Sequence, residues 1–387
     1  MRRRPEEAEG TRRILYIITD PVSTRLLRGQ LRWMVNAGFE VHLACAPGPE
    51  LERFGKAEGV RVHKLPLVRE PSPLQDLRAF IAAVILLRRL RPTLVNASTP
   101  KAGFVGTVAA WLCRVPVRVY VVRGFRFEGE RGFRRALLRG IDRLAIRVAT
   151  QVIFNSRSLE RLALDERLIG HGAGIVLGAG SGNGVDLSRF GSLPSRGAAR
   201  RASGLEEAAQ VIGFAGRLTQ DKGVVDLVTA FQDLAGTRPA LRLLLVGDFE
   251  EGDPVPVATR ERIEGDERIV RTGWVDDPAP VYPAMDVLAF PSYREGLPNV
   301  PLEAQAAGIP VVGYAATGTV DAVPPGQIGE LVPVADTDAL VVALSKLLDD
   351  PDRARRLGTR GREWVAEAFR PERVWTDLAA RYAAWLD

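Results

Sequence analysis

Short apolar runs rich in β-branched residues alternate with helical patterns along almost the whole chain. In the first half they cover residues 13–19, 40–47, 93–98, 117–122 and 150–156, and in the second half 211–216, 241–248, 268–274, 287–292 and 310–314. Strands that alternate with helices form parallel sheets, and continuously apolar strands are covered on both faces. The pattern therefore predicts an α/β protein with two doubly wound domains.

The domain boundaries are predicted at the points where the alternation of strands and helices stops. Residues 191–208 are rich in Gly, Ser and Ala, which predicts a linker between a first domain, 11–190, and a second domain, 209–365. Residues 1–10 are polar and charged and are predicted to form a disordered tail. Residues 366–387 are predicted to form a separate terminal helix. A chain of 387 residues is also long for a single hydrophobic core.

Composition excludes several classes of protein. No run approaches the roughly 18 uncharged residues that span a membrane, and the apolar run at 14–18 is too short for a signal peptide. The two cysteines, Cys45 and Cys113, cannot build a disulfide framework, so a reducing compartment such as the cytoplasm is expected.

The charge is divided unequally between the two halves. Residues 1–190 carry 32 Lys and Arg against 17 Asp and Glu, whereas residues 191–387 carry 21 against 30. A basic domain suits an anionic membrane surface or a phosphate-bearing substrate. Nucleic acid is not expected, because the chain has no zinc-knuckle spacing, recognition helix or aromatic RNA-binding motif.

A glycine-containing loop, GRLTQDKG at 216–223, follows the first strand of the second half. Gly216 and the helix that begins after this loop favour an anion, and Arg217 and Lys222 supply positive charge. The loop is neither a Walker motif nor a dinucleotide fingerprint. Two solvated cations beside a helix start remain an equally good interpretation of Arg217 and Lys222 taken alone.

Two glutamates stand in an otherwise apolar stretch, AFPSYREGLPNVPLEAQAAGIPVV. Glu295 lies on a loop, while Glu303 lies in a helical pattern and is followed by Ala304, Ala306 and Ala307. A solvated glutamate usually has polar neighbours, so the setting of Glu303 indicates the buried start of a helix.

Together these motifs resemble the retaining nucleotide-sugar glycosyltransferases of family 4. The matching segments are NGVDLSRF, GRLTQDKG, LLLVGD, the stretch from TGWVDDP to GIPVV, ATGTVDAV and GELVPVADTDAL, spread over 180–345. The resemblance implies the GT-B architecture, two facing Rossmann-like domains with a C-terminal helix that crosses back to the first domain. The wording SYREGLPNVPLEA, with TPKAG at 99–103, is most similar to bacterial enzymes that extend lipid-linked saccharides and exopolysaccharides.

The resemblance also implies roles for residues of the second domain. Glu295 would accept hydrogen bonds from the donor sugar, Glu303 would hold the ribose hydroxyls, and Arg217 with Lys222 would neutralise the departing diphosphate. The remaining donor-binding candidates are Gly216, Thr219, Gly247, Gly296, Leu297, Pro298, Asn299 and Val300. No metal and no other cofactor is expected. The Asp336-Thr337-Asp338 and Asp350-Pro351-Asp352 triplets each precede a helical pattern, so helix capping explains them.

The first domain departs from the family pattern. Where relatives carry His-Gly, this chain has Arg123 and Gly124, which makes Arg123 a phosphate- or sugar-facing candidate. Lys101 is a candidate for the interdomain cleft. A segment at 126–147 alternates arginines with apolar residues, which suits either a membrane-surface helix or a core-packed helix with a solvated basic face.

The leading hypothesis is a retaining glycosyltransferase that uses a nucleotide sugar, UDP-linked in the commonest case, and a lipid-linked or saccharide acceptor. The protein would then attach peripherally to the cytoplasmic face of the inner membrane through its basic first domain. A nucleotide-sugar epimerase or hydrolase of the same architecture, and a non-catalytic sugar-nucleotide-binding protein, are the alternatives.

Overall fold

A computed structural model describes residues 12–68 and 72–387. The chain divides into two compact units: the first holds the residues up to Gly184 together with Pro371–Asp387, and the second holds Val185–Arg370. The change of unit thus precedes the predicted linker at 191–208, and the final helix belongs to the first unit. The predicted tail at 1–10 lies outside the described residues.

The described part of the first unit contains one parallel sheet of seven strands, in the order β3-β2-β1-β4-β5-β6-β7. Its strands are β1 (Arg13–Ile17), β2 (Glu40–Cys45), β3 (Arg61–Lys64), β4 (Leu94–Ser98), β5 (Val117–Val122), β6 (Gln151–Phe154) and β7 (Gly174–Val176). Its helices are α1 (Gln30–Asn36), α2 (Pro49–Glu58), α3 (Pro73–Leu90), α4 (Pro100–Leu112), α5 (Gly132–Val148), α6 (Arg157–Asp165) and, at the chain end, α14 (Pro371–Leu386). Short 3-10 helices cover Pro21–Leu27 and Arg126–Gly129.

In the second unit the described residues form a parallel sheet of six strands, in the order β10-β9-β8-β11-β12-β13. Its strands are β8 (Gln210–Ala215), β9 (Leu241–Val246), β10 (Ile269–Gly273), β11 (Val287–Phe290), β12 (Val311–Tyr314) and β13 (Gly329–Val332). Its helices are α7 (Arg196–Ala202), α8 (Val224–Ala235), α9 (Val257–Gly265), α10 (Asn299–Ala306), α11 (Thr319–Ala322), α12 (Thr337–Asp349) and α13 (Pro351–Ala368). Short 3-10 helices cover Leu187–Phe190 and Tyr282–Ala284.

Each sheet is buried on both faces, as the continuous apolar strands predict. Along β1, Ile14 and Tyr16 pack in the cluster that includes α1 and α14, whereas Leu15 and Ile17 pack against α3 and α4. Successive side chains of a strand point to opposite faces, so one apolar strand supplies both layers of the core. The predicted two-domain α/β class with a Rossmann-like sheet in each domain is confirmed.

Three strands were not predicted, namely β3, β7 and β13, and all three lie at a sheet edge. β3 reads Arg-Val-His-Lys, and β7 has three residues, none of them fully buried. An edge strand has one neighbour instead of two and needs less apolar sequence, so its signal is weak. The segment 191–208 also contains α7, which joins the second unit through a bond from Arg200 Nε to Ala284 O of 3.1 Å.

No described helix is long and apolar enough to cross a lipid bilayer.

Candidate active site

The strand order of the second unit reverses between β8 and β11, and the predicted donor residues lie at this point. Arg217 and Lys222 follow β8, Glu295 follows β11, and Glu303 lies in α10, the next helix. In open parallel sheets, ligands bind outside the carboxyl ends of the strands where the order reverses, since the neighbouring loops separate there. The sheet therefore brings the cations and carboxylates of two distant sequence motifs to one edge.

Glycines allow the loops at this edge to approach closely. Gly216 and Gly247 both have a φ of 143°, and a Cβ on Gly247 would lie 1.9 Å from Gly216 O. Likewise, a Cβ on Gly223 would lie 2.0 Å from Pro291 O. A side chain at either position would displace backbone, so these two glycines set the spacing between the loops that follow β8, β9 and β11.

Lys222 and Glu295 form an ion pair across this edge. Lys222 Nζ lies 2.5 Å from Glu295 Oε1, and each side chain is 16% exposed. Ser292 Oγ donates to the same carboxylate oxygen over 2.9 Å. Since a carboxylate has about four lone-pair sites, Glu295 keeps acceptor capacity for ligand hydroxyls even while both bonds persist.

Arg217 is paired with a carboxylate that sequence reasoning did not identify. Its Nη1 donates to Glu250 Oε2 over 2.8 Å. Burial by itself lowers the pKa of Arg217, but the bond to Glu250 outweighs it and the net pKa lies above the ordinary value. Arg217 therefore stays charged and is held in place before any ligand arrives.

Thr219 and Asp221 shape the loop between these two cations. Thr219 is fully buried, and its hydroxyl donates to Asp221 Oδ1 over 2.6 Å. Burial raises the pKa of Asp221, yet this bond and the charges of Lys222, Arg294 and Arg217 lower it further than burial raises it. Thr219, predicted to bind the donor, thus has a contact that fixes the loop from within.

Glu303 has both carboxylate oxygens occupied. Arg189 Nη1 donates to Oε1 over 2.9 Å, and the buried Tyr282 hydroxyl donates to Oε2 over 3.0 Å. The other terminal nitrogen of Arg189, Nη2, donates to Asp277 Oδ1 over 2.5 Å. Burial first, and then the charge of Glu303, raise the pKa of Tyr282 well above its ordinary value, so Tyr282 remains a hydrogen-bond donor.

The loop into α10 presents backbone rather than side chains. Gly296, Leu297 and Pro298 are buried, and α10 begins at Asn299 without a side-chain cap on its first turn. The free N–H groups and the positive end of the helix suit an anion or sugar oxygen. A Cβ on Gly318, which has a φ of 75°, would lie 2.6 Å from Gly296 O, so the loop before α11 closes over this turn.

In the first unit, the predicted residues lie at the carboxyl ends of β4 and β5. Lys101, in the first turn of α4, donates to Asp76 Oδ1 over 2.7 Å. Arg123 directly follows β5, and Gly124 after it has a φ of 137°, a conformation that favours glycine. No hydrogen bond joins Lys101 and Arg123 in the part of the chain that the structure describes.

The acidic triplets act as predicted. Asp336 accepts from Ala339 N over 2.9 Å and Asp350 accepts from Arg353 N over 2.8 Å, so each caps a helix. Among residues 12–68 and 72–387, no three His, Cys, Asp or Glu side chains are grouped so that they could hold a metal ion.

Sequence reasoning did not assign roles to Arg189, Tyr282, Asp277 and Glu250. A weak signal existed for Arg189, which lies inside the NGVDLSRF motif, and for Glu250, which lies two residues after LLLVGD. The pairing of Arg189 with Glu303 spans 114 residues, which no local pattern encodes.

Two family models and several curated proteins match this chain. A family model described as glycosyl transferases group 1 matches residues 209–350, and one described as a glycosyl transferase 4-like domain matches residues 23–172. The chain is 30% identical over 374 residues to the capsular polysaccharide biosynthesis glycosyltransferase CapM of Staphylococcus aureus, covering 97% of each chain. It is 26% identical over 320 residues to the Escherichia coli UDP-Gal:alpha-D-GlcNAc-diphosphoundecaprenol alpha-1,3-galactosyltransferase, covering 81% of each.

Among solved structures, Anabaena HepE in complex with UDP-glucose superposes with a TM-score of 0.79 at 21% identity, covering 96% of this chain and 99% of HepE. At that identity the likeness concerns the fold, which is the GT-B class.

Proposed function

The chain belongs to the group 1 glycosyl transferases, and from this premise we propose that it transfers a hexosyl or N-acetylhexosaminyl residue from a UDP-sugar, with retention of configuration, in cell-surface polysaccharide assembly. The bond between the anomeric carbon and the diphosphate breaks, and a bond from that carbon to an acceptor hydroxyl oxygen forms on the same face of the sugar. UDP leaves with the electron pair, and the hydroxyl proton is released. Retention rests on the family resemblance.

One observation carries the proposal: Arg217, Lys222, Glu295 and Glu303 lie on the loops after the neighbouring strands β8 and β11 and on helix α10, around the switch point of a single sheet. The leaving diphosphate gains negative charge as the glycosidic bond breaks. Cations that are already held in place lower the energy of that state without reorganising. Glu295 serves the sugar hydroxyls and Glu303 the ribose hydroxyls, since a carboxylate accepts two adjacent hydroxyls well.

The ion pair between Lys222 and Glu295 gives the site its resting state. When the diphosphate binds, Lys222 exchanges part of its bond to Glu295 for a phosphate oxygen, and the carboxylate turns its free lone pairs to the sugar. The exchange costs little, because both groups stay ionised and keep a partner throughout.

The acceptor is proposed to be a lipid-linked saccharide presented at the cytoplasmic membrane surface. The E. coli relative acts, by its name, on a diphosphoundecaprenol-linked sugar. On α5, Phe133 is 82% exposed, Leu137 50% and Leu144 43%. The neighbouring helices of the first unit carry further exposed apolar side chains: Leu74, Leu77, Ile81 and Ile85 on α3, and Trp111 and Leu112 on α4.

Arginines interleave with the exposed apolar side chains of α5. Arg131, Arg134, Arg143 and Arg147 are exposed. Arg135 and Arg139 instead bind Glu166, and Ile146 is buried, so the membrane-facing part of the stripe is narrower than the sequence pattern. Exposed cations among exposed apolar side chains are typical of helices that lie on an anionic bilayer. This surface supports peripheral attachment through the first unit.

Incubation with a panel of nucleotide sugars, with and without short polyprenyl-diphosphate saccharides, tests the proposed reaction. The proposal is supported if UDP is released only when the acceptor is present and the acceptor becomes glycosylated. An α-linked product from an α-linked donor supports retention. Release of UDP without acceptor would indicate a hydrolase, and conversion of the sugar without release of UDP an epimerase. A protein that binds UDP-sugars but turns none over would be a binding protein.

A further inference from the structure

The side chain of Arg123 is partly buried in the first unit, at the carboxyl end of β5, the strand between β4 and β6. Its Nε is inaccessible to solvent and has no hydrogen-bond partner, while part of the side chain remains accessible. Burial lowers the pKa of the guanidinium to about 10, still well above neutrality. Arg123 is therefore a charged group that is partly withdrawn from water, at its Nε above all.

Nothing in the described residues neutralises this charge. Arg123 forms no ion pair and no hydrogen bond within residues 12–68 and 72–387, and the groups that influence it are the neutral hydroxyls of Tyr16 and Tyr382. Buried charges in folded proteins are almost always paired, because an unpaired one loses hydration without compensation. A partner from outside the chain would supply that compensation.

The glycine-rich loop at 178–184 packs directly over the guanidinium. A Cβ on Gly182 would lie 2.5 Å from Arg123 Nη1, so a side chain at this position would displace the guanidinium. Gln30 Nε2 donates to Gly182 O over 2.8 Å, and Trp375 Nε1 donates to Asn183 Oδ1 over 2.8 Å. The loop is thus fixed from two sides, which holds the guanidinium still.

Arg118 shows what a structural arginine looks like on the same strand. It lies near the opposite end of β5, where its Nε donates to Val148 O and its Nη1 to Val115 O, each over 2.7 Å. Its role is to satisfy backbone carbonyls. Arg123 satisfies none, although it is placed at the edge of the sheet where parallel sheets bind ligands.

We propose that Arg123, enclosed by Gly182 and the Tyr16–Tyr382 pair, forms an oxyanion site of the first unit that takes the phosphate oxygens of a substrate diphosphate. A guanidinium matches phosphate oxygens with two parallel N–H donors, a geometry that an imidazole at this position does not offer. The diphosphate could belong to the UDP-sugar donor or to a lipid-linked acceptor. Both candidates come from the proposed function, and the inference rests on that function to this extent.

Calorimetric titration of the full chain tests the site with three probes: inorganic pyrophosphate, UDP and geranyl diphosphate. Arg123→Met removes the charge at similar volume. Arg123→Lys keeps the charge but lacks the two parallel N–H donors of a guanidinium. Arg118→Met is the matched control on the same strand. We expect Arg123→Met to lower the affinity for at least one diphosphate by about tenfold to a hundredfold, the usual effect of losing charged hydrogen bonds. Arg123→Lys should lose less, and Arg118→Met should bind as the wild type does.

The probes distinguish the sources. Weakened UDP binding assigns the site to the donor, and weakened geranyl diphosphate binding with unchanged UDP assigns it to the acceptor. Thermal unfolding separates a ligand site from a structural role: Arg123→Met should keep or raise the unfolding temperature of the ligand-free protein, whereas Arg118→Met should lower it.

Wild-type affinity of Arg123→Met for all three probes would overturn the proposal, as would absence of binding of every probe to the wild-type chain. So would an unfolding temperature lowered as much as in Arg118→Met together with unchanged binding. None of these readouts needs sugar transfer, so failure of the proposed reaction and failure of this site remain distinguishable.

Discussion

At the scale of single residues, the groups proposed to bind the donor are already paired with one another. Lys222 holds Glu295, Glu250 holds Arg217, and Arg189 holds Glu303. A charged side chain without such a partner would be drawn to other contacts or to solvent. Pairing therefore keeps each group ionised and oriented, and the ligand exchanges partners instead of ordering loose side chains.

Glu303→Ala and Glu295→Ala should affect different kinetic constants. Ribose contacts are equal in the ground and transition states, so Glu303→Ala should raise the KM for the donor by about tenfold to a hundredfold. Contacts beside the breaking bond strengthen in the transition state, so Glu295→Ala should mainly lower kcat. Steady-state kinetics over a donor series measures both, and equal effects on KM alone would contradict this division.

Arg189 should behave as a positioning residue for Glu303. Arg189→Met leaves Glu303 with Tyr282 alone, so we expect about a tenfold rise in donor KM with little change in kcat. Arg189→Lys should recover part of the loss, because an ammonium can hold one of the two carboxylates. Arg196→Met is the control, since Arg196 also bonds a carboxylate of this unit, that of Asp286. A fall in kcat as large as that of Glu295→Ala would argue against positioning.

At the scale of elements, α5 makes the membrane proposal testable. Leu137→Glu should weaken binding to vesicles that contain phosphatidylglycerol, whereas Val342→Glu on α12, at nearly the same exposure of 52%, should not. The double variant Arg143→Gln with Arg147→Gln should weaken the free energy of binding to these vesicles by about 2 kcal/mol, at about 1 kcal/mol for each cation. The difference from the wild type should shrink as salt is added. Sedimentation measures this. Equal binding of the wild type to anionic and neutral vesicles at low salt would show that the basic face is only solvated.

The paired strands β2 and β3 contain a histidine pair that links folding to pH. His42 Nδ1 and His63 Nε2 are 2.9 Å apart, and His42 Nε2 is 3.0 Å from Glu40 Oε1. Burial, more than any neighbouring charge, lowers the pKa of both histidines below the ordinary value of 6.5. Below pH 6.5 the unfolded chain thus binds more protons than the folded one.

The first unit should therefore lose stability as the pH falls from 7 through 6.5 to the lowered pKa values, with a slope of at most about 1.4 kcal/mol per pH unit for each histidine. Urea unfolding at a series of pH values measures the slope. His63→Gln keeps a donor toward His42, so it should match the wild type above pH 7.5 and show a shallower slope below 6.5. An unchanged slope would show that the pair does not contribute.

At the scale of the whole molecule, the reaction should proceed without a divalent cation. In the proposed reaction Arg217 and Lys222, each held by a carboxylate in the structure, supply the charge that a metal would bring to the diphosphate. Activity should therefore survive EDTA, and Lys222→Met should lower kcat by about a hundredfold or more without rescue by magnesium. Loss of wild-type activity in EDTA, restored by magnesium or manganese, would contradict this.

The two-unit α/β architecture was predictable because its signal is local and repeated. Each buried parallel strand, such as Leu241–Val246, must be apolar along its whole length, so it is visible in the sequence alone. The edge strands β3, β7 and β13 escaped prediction, because one-sided pairing leaves a strand such as Arg61–Lys64 free to be polar. The division at Gly184 was likewise not visible, since it depends on which elements pack on which sheet, whereas the division at Arg370 lies close to the predicted start of the terminal helix at 366.

The sequence by itself pointed to Arg217 and Lys222 on a glycine-containing loop after a strand and to Glu295 and Glu303 in an apolar stretch, and the family resemblance added Arg123. Only the tertiary structure decided their partners. Lys222 and Glu295 are 73 residues apart in the chain. Strand order decides which distant loops become neighbours, and glycines such as Gly223 decide how closely they approach. Hydrogen bonds and ion pairs depend on distances of a few ångströms, which periodicity along a chain does not encode.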